Sequence, residues 1–353
     1  MPCRPLVPPG CLGLRMNTAA PPVSIGLPVR NGMPYIVECL DSIRRQSFGD
    51  FELLVCDNAS TDGTGEVARE LARADSRVRY LRVESDSGAS ANFNRCFAGT
   101  TGELFTWAAS DDRLLPRYLD QSVDHLESHP DHAMCVPAVR FIDEAGLTSG
   151  VFQQPVALSS PNVNVRLRSY LDRRSWFMVY GLARREALAK TGLFPQRFGP
   201  DVILVWEMLL RFRIGTLPES LLEYRRYQVK DAGVVWSGIQ PEGAGRAPGW
   251  LHLGLFRDLL ESCDHEGIDL AARIAGRRAL FRWLASTPFR DLVVDDLRDE
   301  LRRASRARNP IYDVALLASM ALLRPGRAIR NARRQPIMQI LGHGGGGRRS
   351  STP

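Results

Sequence analysis

The stretch "ELFTWAASDDRLLP" (103–116) runs apolar and then stops at two adjacent carboxylates, Asp111 and Asp112. Two acids at the end of a buried strand repel each other, and burying them unpaired is costly, so they call for a positive charge. A third acid, Asp57, ends another apolar run, "FELLVCD" (51–57). Histidines are few. His125 and His129 stand four apart, a spacing that suits two metal ligands on one helix face, but no third ligand is evident and the pair reads as a surface feature. The seven cysteines, at 3, 11, 39, 56, 96, 135 and 263, form no CxxC pair. Neither a zinc site nor a disulfide framework is indicated, and a reducing compartment is expected. No GxGxxG follows the first strand-like run and no P-loop signature occurs, which removes the main support for dinucleotide or P-loop chemistry.

These acids need a frame, and the hydrophobic pattern supplies one. "VSIGLPV" (23–29) reads as a buried strand ending at the turn "RNG", with Pro34 placed for a first helical turn. Ile36, Cys39, Leu40 and Ile43 then fall on one helix face. A second strand (51–57) leads through the capping and turn residues "NASTDGT" into a helix carrying Val67 and Leu71. A third strand (77–83), a short helix (89–97), a fourth strand (103–109) and a helix (116–128) follow. Strands alternating with helices predict a mostly parallel α/β sheet whose ligands sit at the carboxyl ends of its strands. Asp57 and Asp111 both fall at such ends, a first sign of a shared cleft.

Beyond residue 132 the pattern mixes: a strand in "AMCVPAVRFID", helices in "RREALAKTG" and "DVILVWEMLLRF", and a returning strand in "TLPESLLEYRRY". From about 246 the chain reads as helical. "DVALLASMALL" (313–323) is the most apolar helix, too short to span a bilayer, and is followed by Arg324, Arg327, Arg330, Arg333 and Arg334. That basic stretch suits a solvated tail, or peripheral contact with an anionic membrane. The net charge of +7 is carried almost wholly by arginine, with Lys190 and Lys230 the only lysines. No basic stripe with interleaved aromatics appears, so nucleic acid is not expected as a partner. Residues 1–21 read as a disordered leader without a signal-peptide core, with Met16 a candidate start, and 342–353 as a disordered tail.

The run "SIGLPVRNGMPYIVECLDSIRRQSFGDFELLVCDNASTDGT" (24–64) and the later "SGASANFNRCFAGTTGELFTWAASDDRLLP" (87–116) together resemble glycosyltransferase family 2, with motifs agreeing in order over 22–228. The resemblance implies a GT-A fold (a Rossmann-like, mostly parallel α/β sheet) over 22–230, with a helical C-terminal extension over 246–341. It implies an inverting glycosyltransferase that uses a nucleotide-diphosphate sugar and a divalent cation, Mg2+ or Mn2+. Asp111 would be the metal ligand with Asp112 beside it, although the usual first acid of the motif is Ala109 here. Asp57 would accept the N3–H of a pyrimidine, favouring a UDP- or dTDP-sugar. Pro28, Val29, Arg30 and Asn31 would line the same pocket, Asp86 would touch base or ribose, and Asn92 would bind donor or order a loop. Asp201, in "GLFPQRFGPDVILVWEMLLRF", would be the base for the acceptor hydroxyl, with Glu207 near the acceptor. In "LLEYRRYQVK", Arg225 and Arg226 would meet the diphosphate, only one of them inward because strand neighbours alternate, and Gln228 stands where a metal-binding His is usual. Trp176 and Trp206 are candidates for stacking on an acceptor sugar, with core packing as the alternative.

The expected reaction is sugar transfer to a saccharide or lipid-linked acceptor in surface polysaccharide biosynthesis, in the cytoplasm at the inner membrane face. The alternative, prompted by Ala109 and Gln228, is a catalytically silent nucleotide-sugar-binding or assembly protein. Sugar, acceptor, linkage and oligomeric state are not encoded in these residues.

Overall fold

A computed structural model describes residues 21–173, 175–227, 240, 251–286 and 289–296. Met16, Gln228, the helix expected at 313–323, its trailing arginines and the tail at 342–353 lie outside the described residues.

The first half alternates as the pattern demands: β1 (Val23–Val29), α1 (Ile36–Arg44), β2 (Phe51–Asn58), α2 (Thr64–Ala74), β3 (Val78–Val83), α3 (Ala89–Ala98) and β4 (Leu104–Trp107). Every residue of β1 is buried, as befits a central strand covered on both faces. It pairs in parallel with β2 and with β4, and β2 pairs in parallel with β3. The carboxyl ends of β1, β2 and β4 therefore share one edge of the sheet. Glycine at 26 lets α3 lie close on β1, since a Cβ there would come within 2.6 Å of the Cys96 Cβ.

The second half contains β5 (Arg113–Leu114), α4 (Tyr118–Ser128), β6 (His132–Ile142), β7 (Thr148–Phe152), α5 (Val163–Arg173), β8 (Leu182–Arg184), α6 (Arg185–Leu188), α7 (Pro200–Arg211) and β9 (Arg213–Arg225). The sheet runs β3-β2-β1-β4-β8-β6-β9-β5, with β7 alongside β6. Parallel pairing rules from β3 to β4 and again between β6 and β9, while β8, β7 and β5 add antiparallel pairs. An aromatic cluster of Phe93, Phe97, Phe105, Trp107 and Phe194 fastens α3 and the 192–195 loop to β4.

Helices α8 (Leu251–Ser262) and α9 (Leu270–Ala285) pack on α5 and α7. Arg197 pairs with Asp258 at 2.5 Å and His265 with Glu207 at 2.8 Å, tying the segment before α7 and α7 itself to α8 and the loop after it. Among the described residues no helix is long and apolar enough to cross a membrane.

Candidate active site

The parallel strands end in turns, and two of these turns lock together. The β1–α1 turn is held by the β2–α2 turn: Asn31 N–H donates to Ser60 Oγ at 2.9 Å, Gly32 N–H to Thr64 Oγ1 at 2.8 Å, and Met33 N–H to Asp62 Oδ2 at 3.0 Å. In return Thr61 N–H donates to Asn31 Oδ1 at 2.8 Å. "RNGMP" and "STDGT" thus form one rigid rim. Below it opens a cavity of about 150 Å³ lined by Pro28–Asn31, Asn58, Asp86, Ala89, Asn92, Phe93, Ala109–Asp111 and Tyr180.

The cavity gathers most of the nucleotide-site residues expected from sequence: Pro28, Val29, Arg30, Asn31, Asp86 and Asn92. Arg30 pairs with Asp86 at 2.9 Å. Asn92 is buried, its amide donating to the Cys56 carbonyl at 2.8 Å while its oxygen accepts from Arg95 at 2.6 Å. Asn94 exchanges hydrogen bonds with the Phe194 backbone, at 2.9 and 3.1 Å, and so orders the neighbouring loop.

Asp57 is a correction. Successive side chains of a strand point to opposite faces, and at the end of β2 it is Asn58 that faces the cavity. Asp57 is buried and accepts from Ser60 N–H at 2.8 Å, Tyr80 O–H at 2.6 Å and Arg82 at 2.9 Å. Burial pushes its carboxyl up, but these donors outweigh burial and hold it below the ordinary carboxylate range. Asn58 is set by its own partners, accepting from Ser87 N–H at 3.1 Å and donating to Asp86 at 2.5 Å. The alternation rule applied to β2 would have singled it out.

Asp111 lines the cavity from the β4 side and accepts from Tyr227 O–H at 2.8 Å. Asp112 lies beneath, 2% exposed, with Oδ1 accepting Arg225 N–H at 2.8 Å and Oδ2 buried without a hydrogen-bond partner. Burial, then the adjacent Asp111 charge, raises its carboxyl well above the usual range. A partnerless buried carboxylate oxygen beside a second acid is a donor set that fits a hard divalent cation.

Neither Arg225, the last residue of β9, nor Arg226 just after it lines the cavity, which corrects both assignments. Arg225 is 1% exposed; its Nε donates to the Asp111 carbonyl at 2.9 Å and its Nη1 to the Asp143 carbonyl at 2.9 Å. Its Nη2 pairs with Glu38, and the guanidinium lies 4.2 Å from the Tyr35 ring centroid. Arg225 therefore shapes the acidic turn instead of waiting for phosphate. Arg226 stacks on Phe141, 3.3 Å from the ring centroid. The cation that lines the cavity is Arg30.

Asp201 occupies the first turn of α7, after Gly199 with its positive φ of 66° and Pro200 at the first helical position. The helix cap is Gly199, and Asp201 stands inside the first turn. Its Oδ1 accepts from Val202 N–H at 2.9 Å, and burial carries its pKa up to about 7. Tyr180, which walls the cavity, is kept protonated first by burial and then by the charges of Asp112, Asp111 and Asp201. Tyr224 responds to the same three acids. Asp201 is not among the residues that line the cavity; Tyr180, which is, was not marked by the sequence pattern.

Three acceptor candidates are structural. Glu207 is 1% exposed and accepts from Gly192 N–H at 2.9 Å while holding His265. Trp176 donates to Tyr224 Oη at 3.2 Å inside an aromatic cluster with Phe177, and Trp206 is wholly buried.

A mostly parallel sheet with a polar cavity at its carboxyl edge and an acidic pair beside it is the architecture of the GT-A fold. The chain is similar in fold to the S. aureus protein TarS (residues 1–349 in complex with UDP-GlcNAc), with a TM-score of 0.58 at 16% identity over 86% of this chain and 93% of that one. It is similar also to the mannosyltransferase PcManGT from Pyrobaculum calidifontis in complex with GDP-Man and Mn2+, with a TM-score of 0.51 at 20% identity over 87% and 81% of the two chains. The glycosyl transferase family 2 model matches residues 24–180. Bacillus subtilis (strain 168) "Putative glycosyltransferase EpsE" is 32% identical over 133 residues, 37% of this chain and 48% of that protein. The chain thus spans about half the length of this curated relative. Asp201 and the β9 arginines lie beyond the matched segment, so their placement rests on geometry.

Proposed function

We propose that this protein is an inverting glycosyltransferase that moves a sugar from a nucleotide-diphosphate donor to an acceptor hydroxyl. One observation carries the reading. The cavity at the ends of β1, β2 and β4 is walled by Asp111 together with Arg30, Asn58 and Asp86, and beside Asp111 the Asp112 carboxylate keeps a buried oxygen without a hydrogen-bond partner.

Arg30, Asn31, Asn58 and Asp86 bind the nucleoside part. The Asp86 carboxylate takes the acceptor role first expected of Asp57, which favours bases offering an imide or amide N–H: uracil or thymine first, guanine second. Asp111 and Asp112 would hold the divalent cation, Mg2+ or Mn2+, which when bound would offset the charge of the departing diphosphate. Asp201 accepts the acceptor's hydroxyl proton as the new C–O bond forms at the anomeric carbon. The bond to the donor oxygen breaks and its electron pair leaves with the diphosphate. A carboxylate whose pKa sits near 7 is matched to that proton transfer. The acceptor is a saccharide or lipid-linked saccharide of surface polysaccharide assembly, met in the cytoplasm at the membrane face.

The test is turnover of UDP-, dTDP- and GDP-sugars with Mg2+ or Mn2+, with slow donor hydrolysis read out where no acceptor is supplied. Hydrolysis that requires the metal and is lost in Asp201→Asn supports the assignment. Donor binding without turnover across acceptors would favour the silent binding protein instead.

A further inference from the structure

Three histidines meet far from the donor cavity. His125 lies in the last turn of α4, His129 just beyond it, and His132 opens β6. The turn between them is tight, with His129 N–H bonded to the His125 carbonyl and His132 N–H to that of His129, both at 3.0 Å. The rings stack as a result, with centroids 4.3 Å apart between His125 and His129 and 5.0 Å between His129 and His132. His125 Nε2 and His132 Nδ1 approach to 3.0 Å, and one ring nitrogen from each of the three residues lies within 4.8 Å of the others. The sequence offered only the His125–His129 pair; the α4–β6 turn adds the third member.

We propose that His125, His129 and His132 form a second metal site, selective for imidazole-seeking divalent ions of the Zn2+ class and distinct from the carboxylate site for the donor's cation. Three observations carry it. His129 Nδ1 lies 2.9 Å from the His125 carbonyl oxygen, so Nδ1 is the protonated nitrogen and Nε2 carries the lone pair, the orientation that ligating imidazoles adopt. Gly215 of β9 faces the two close nitrogens, where a Cβ would stand 1.9 Å from His125 Nε2 and 2.7 Å from His132 Nδ1; only glycine leaves that room. The backbone under the cluster is braced by the buried Arg184, which donates to the His132 carbonyl at 3.0 Å and the Leu126 carbonyl at 2.7 Å.

Metal–nitrogen bonds of about 2.0–2.1 Å in a tetrahedron separate ligands by about 3.4 Å, so the rings, stacked within 5–21° of parallel, turn out of the stack for their lone pairs to meet on one ion. Three imidazoles leave a fourth position for water, on the side of the exposed His129. An all-nitrogen set suits Zn2+, Ni2+ or Cu2+, whereas Mg2+ and Mn2+ seek oxygen. Topology separates this site from the donor cavity. β8 runs antiparallel to both β4 and β6, so β6 is parallel to β4 and His132 begins it at the opposite edge of the sheet from Asp111. A bound ion would clip the end of α4 to the start of β6.

The experiment uses the full chain, stripped with a chelator and titrated with Zn2+ against a chromophoric zinc indicator in excess Mg2+, with a melting curve at each step. The expected result is one Zn2+ per chain, a rise in Tm on binding, and a loss of affinity of at least about tenfold in His129→Ala. His129 is exposed, so this variant should melt like the wild type without metal; His129→Gln is the second variant should alanine disturb the turn. Co2+ loading gives an independent signature, intense visible bands of a tetrahedral site that vanish in either variant. Absence of saturable Zn2+ binding, or wild-type affinity in both variants, overturns the proposal. Neither readout depends on sugar transfer, so failure here leaves the donor-site reading standing, and the reverse holds too.

Discussion

Replacing Asp201 by asparagine separates what this residue does for chemistry from what it costs the fold. The side chain keeps its shape, and the amide oxygen can still accept from Val202 N–H. Only the charge is lost. Burial lifts the carboxyl from 3.8 to about 7, so the folded protein holds this proton more tightly than the unfolded chain. Stability is therefore highest below about pH 4 and declines as pH rises through that window, with the penalty complete above about pH 7. At about 1.4 kcal/mol for each tenfold in proton affinity the full penalty is about 4 kcal/mol; partial accessibility of Asp201 reduces it to about 2–4 kcal/mol. Asp201→Asn should accordingly be more stable than wild type, with an advantage about 1–2 kcal/mol larger at about pH 8 than at about pH 5.5. Urea melts at the two pH values measure this, and a higher Tm at the alkaline value should accompany it. Transfer should fall by ~10²–10⁴-fold in the same variant, and wild-type kcat/KM should decline on the acid side of about pH 7 as the base takes up its proton. An asparagine variant with no pH-dependent gain in stability, or with near wild-type turnover, refutes the assignment of Asp201 as a desolvated base.

Three further substitutions test the neighbouring roles. Asp111→Asn should abolish metal-dependent donor hydrolysis, while Asp112→Asn should lose it too yet melt no lower without metal, because burial and Asp111 already drive that carboxyl toward its neutral form and the amide keeps its shape; hydrolysis and melting curves with and without Mn2+ check both. Arg225→Ala should destabilise the chain by about 3–5 kcal/mol in urea, through loss of the buried pairing with Glu38 and the carbonyl contacts, whereas a diphosphate ligand would raise donor KM at unchanged stability. Asn58→Ala should raise donor KM with little change in melting, while Asp57→Asn should cost about 1.5–3 kcal/mol from its charge-assisted bonds to Tyr80 and Arg82, a split read by steady-state kinetics beside urea melts.

The parallel half of the sheet was legible because burial on both faces writes itself into the chain. "VSIGLPV" coincides with β1, and Ile36, Cys39, Leu40 and Ile43 are the buried face of α1. The second half was harder for physical reasons. β5, β7 and β8 are two, five and three residues long, too short for a period to show. Helix α5 was missed because its inner face includes Arg166, a buried cation satisfied by the Leu209 carbonyl at 3.1 Å and the Ser160 carbonyl at 2.9 Å. Polar residues met by distant carbonyls look like solvent-facing positions until the chain is folded.

The site shows the same limit at finer grain, and the errors share one cause. Each misassigned residue belongs to a pair of neighbours or to a helix whose facing the motif does not specify. Asp57 and Asn58 exchange roles because one end of β2 can present only one of them to the cavity, and Tyr80 and Arg82 on the edge strand claim the acid. Asp111 and Asp112 divide likewise, one lining the cavity and the other bound to the Arg225 backbone. Arg225 carries two of its bonds to that same acidic turn, so a residue chosen for affinity to phosphate acts by fixing where the carboxylates stand. A buried guanidinium with Nε, Nη1 and Nη2 all engaged has no donor geometry left to adapt to a ligand, whereas its removal would let two repelling carboxylates move apart. The acidic turn is therefore as much a product of β9 as of β4, and among the described residues the guanidinium that lines the cavity is that of Arg30 on the rim.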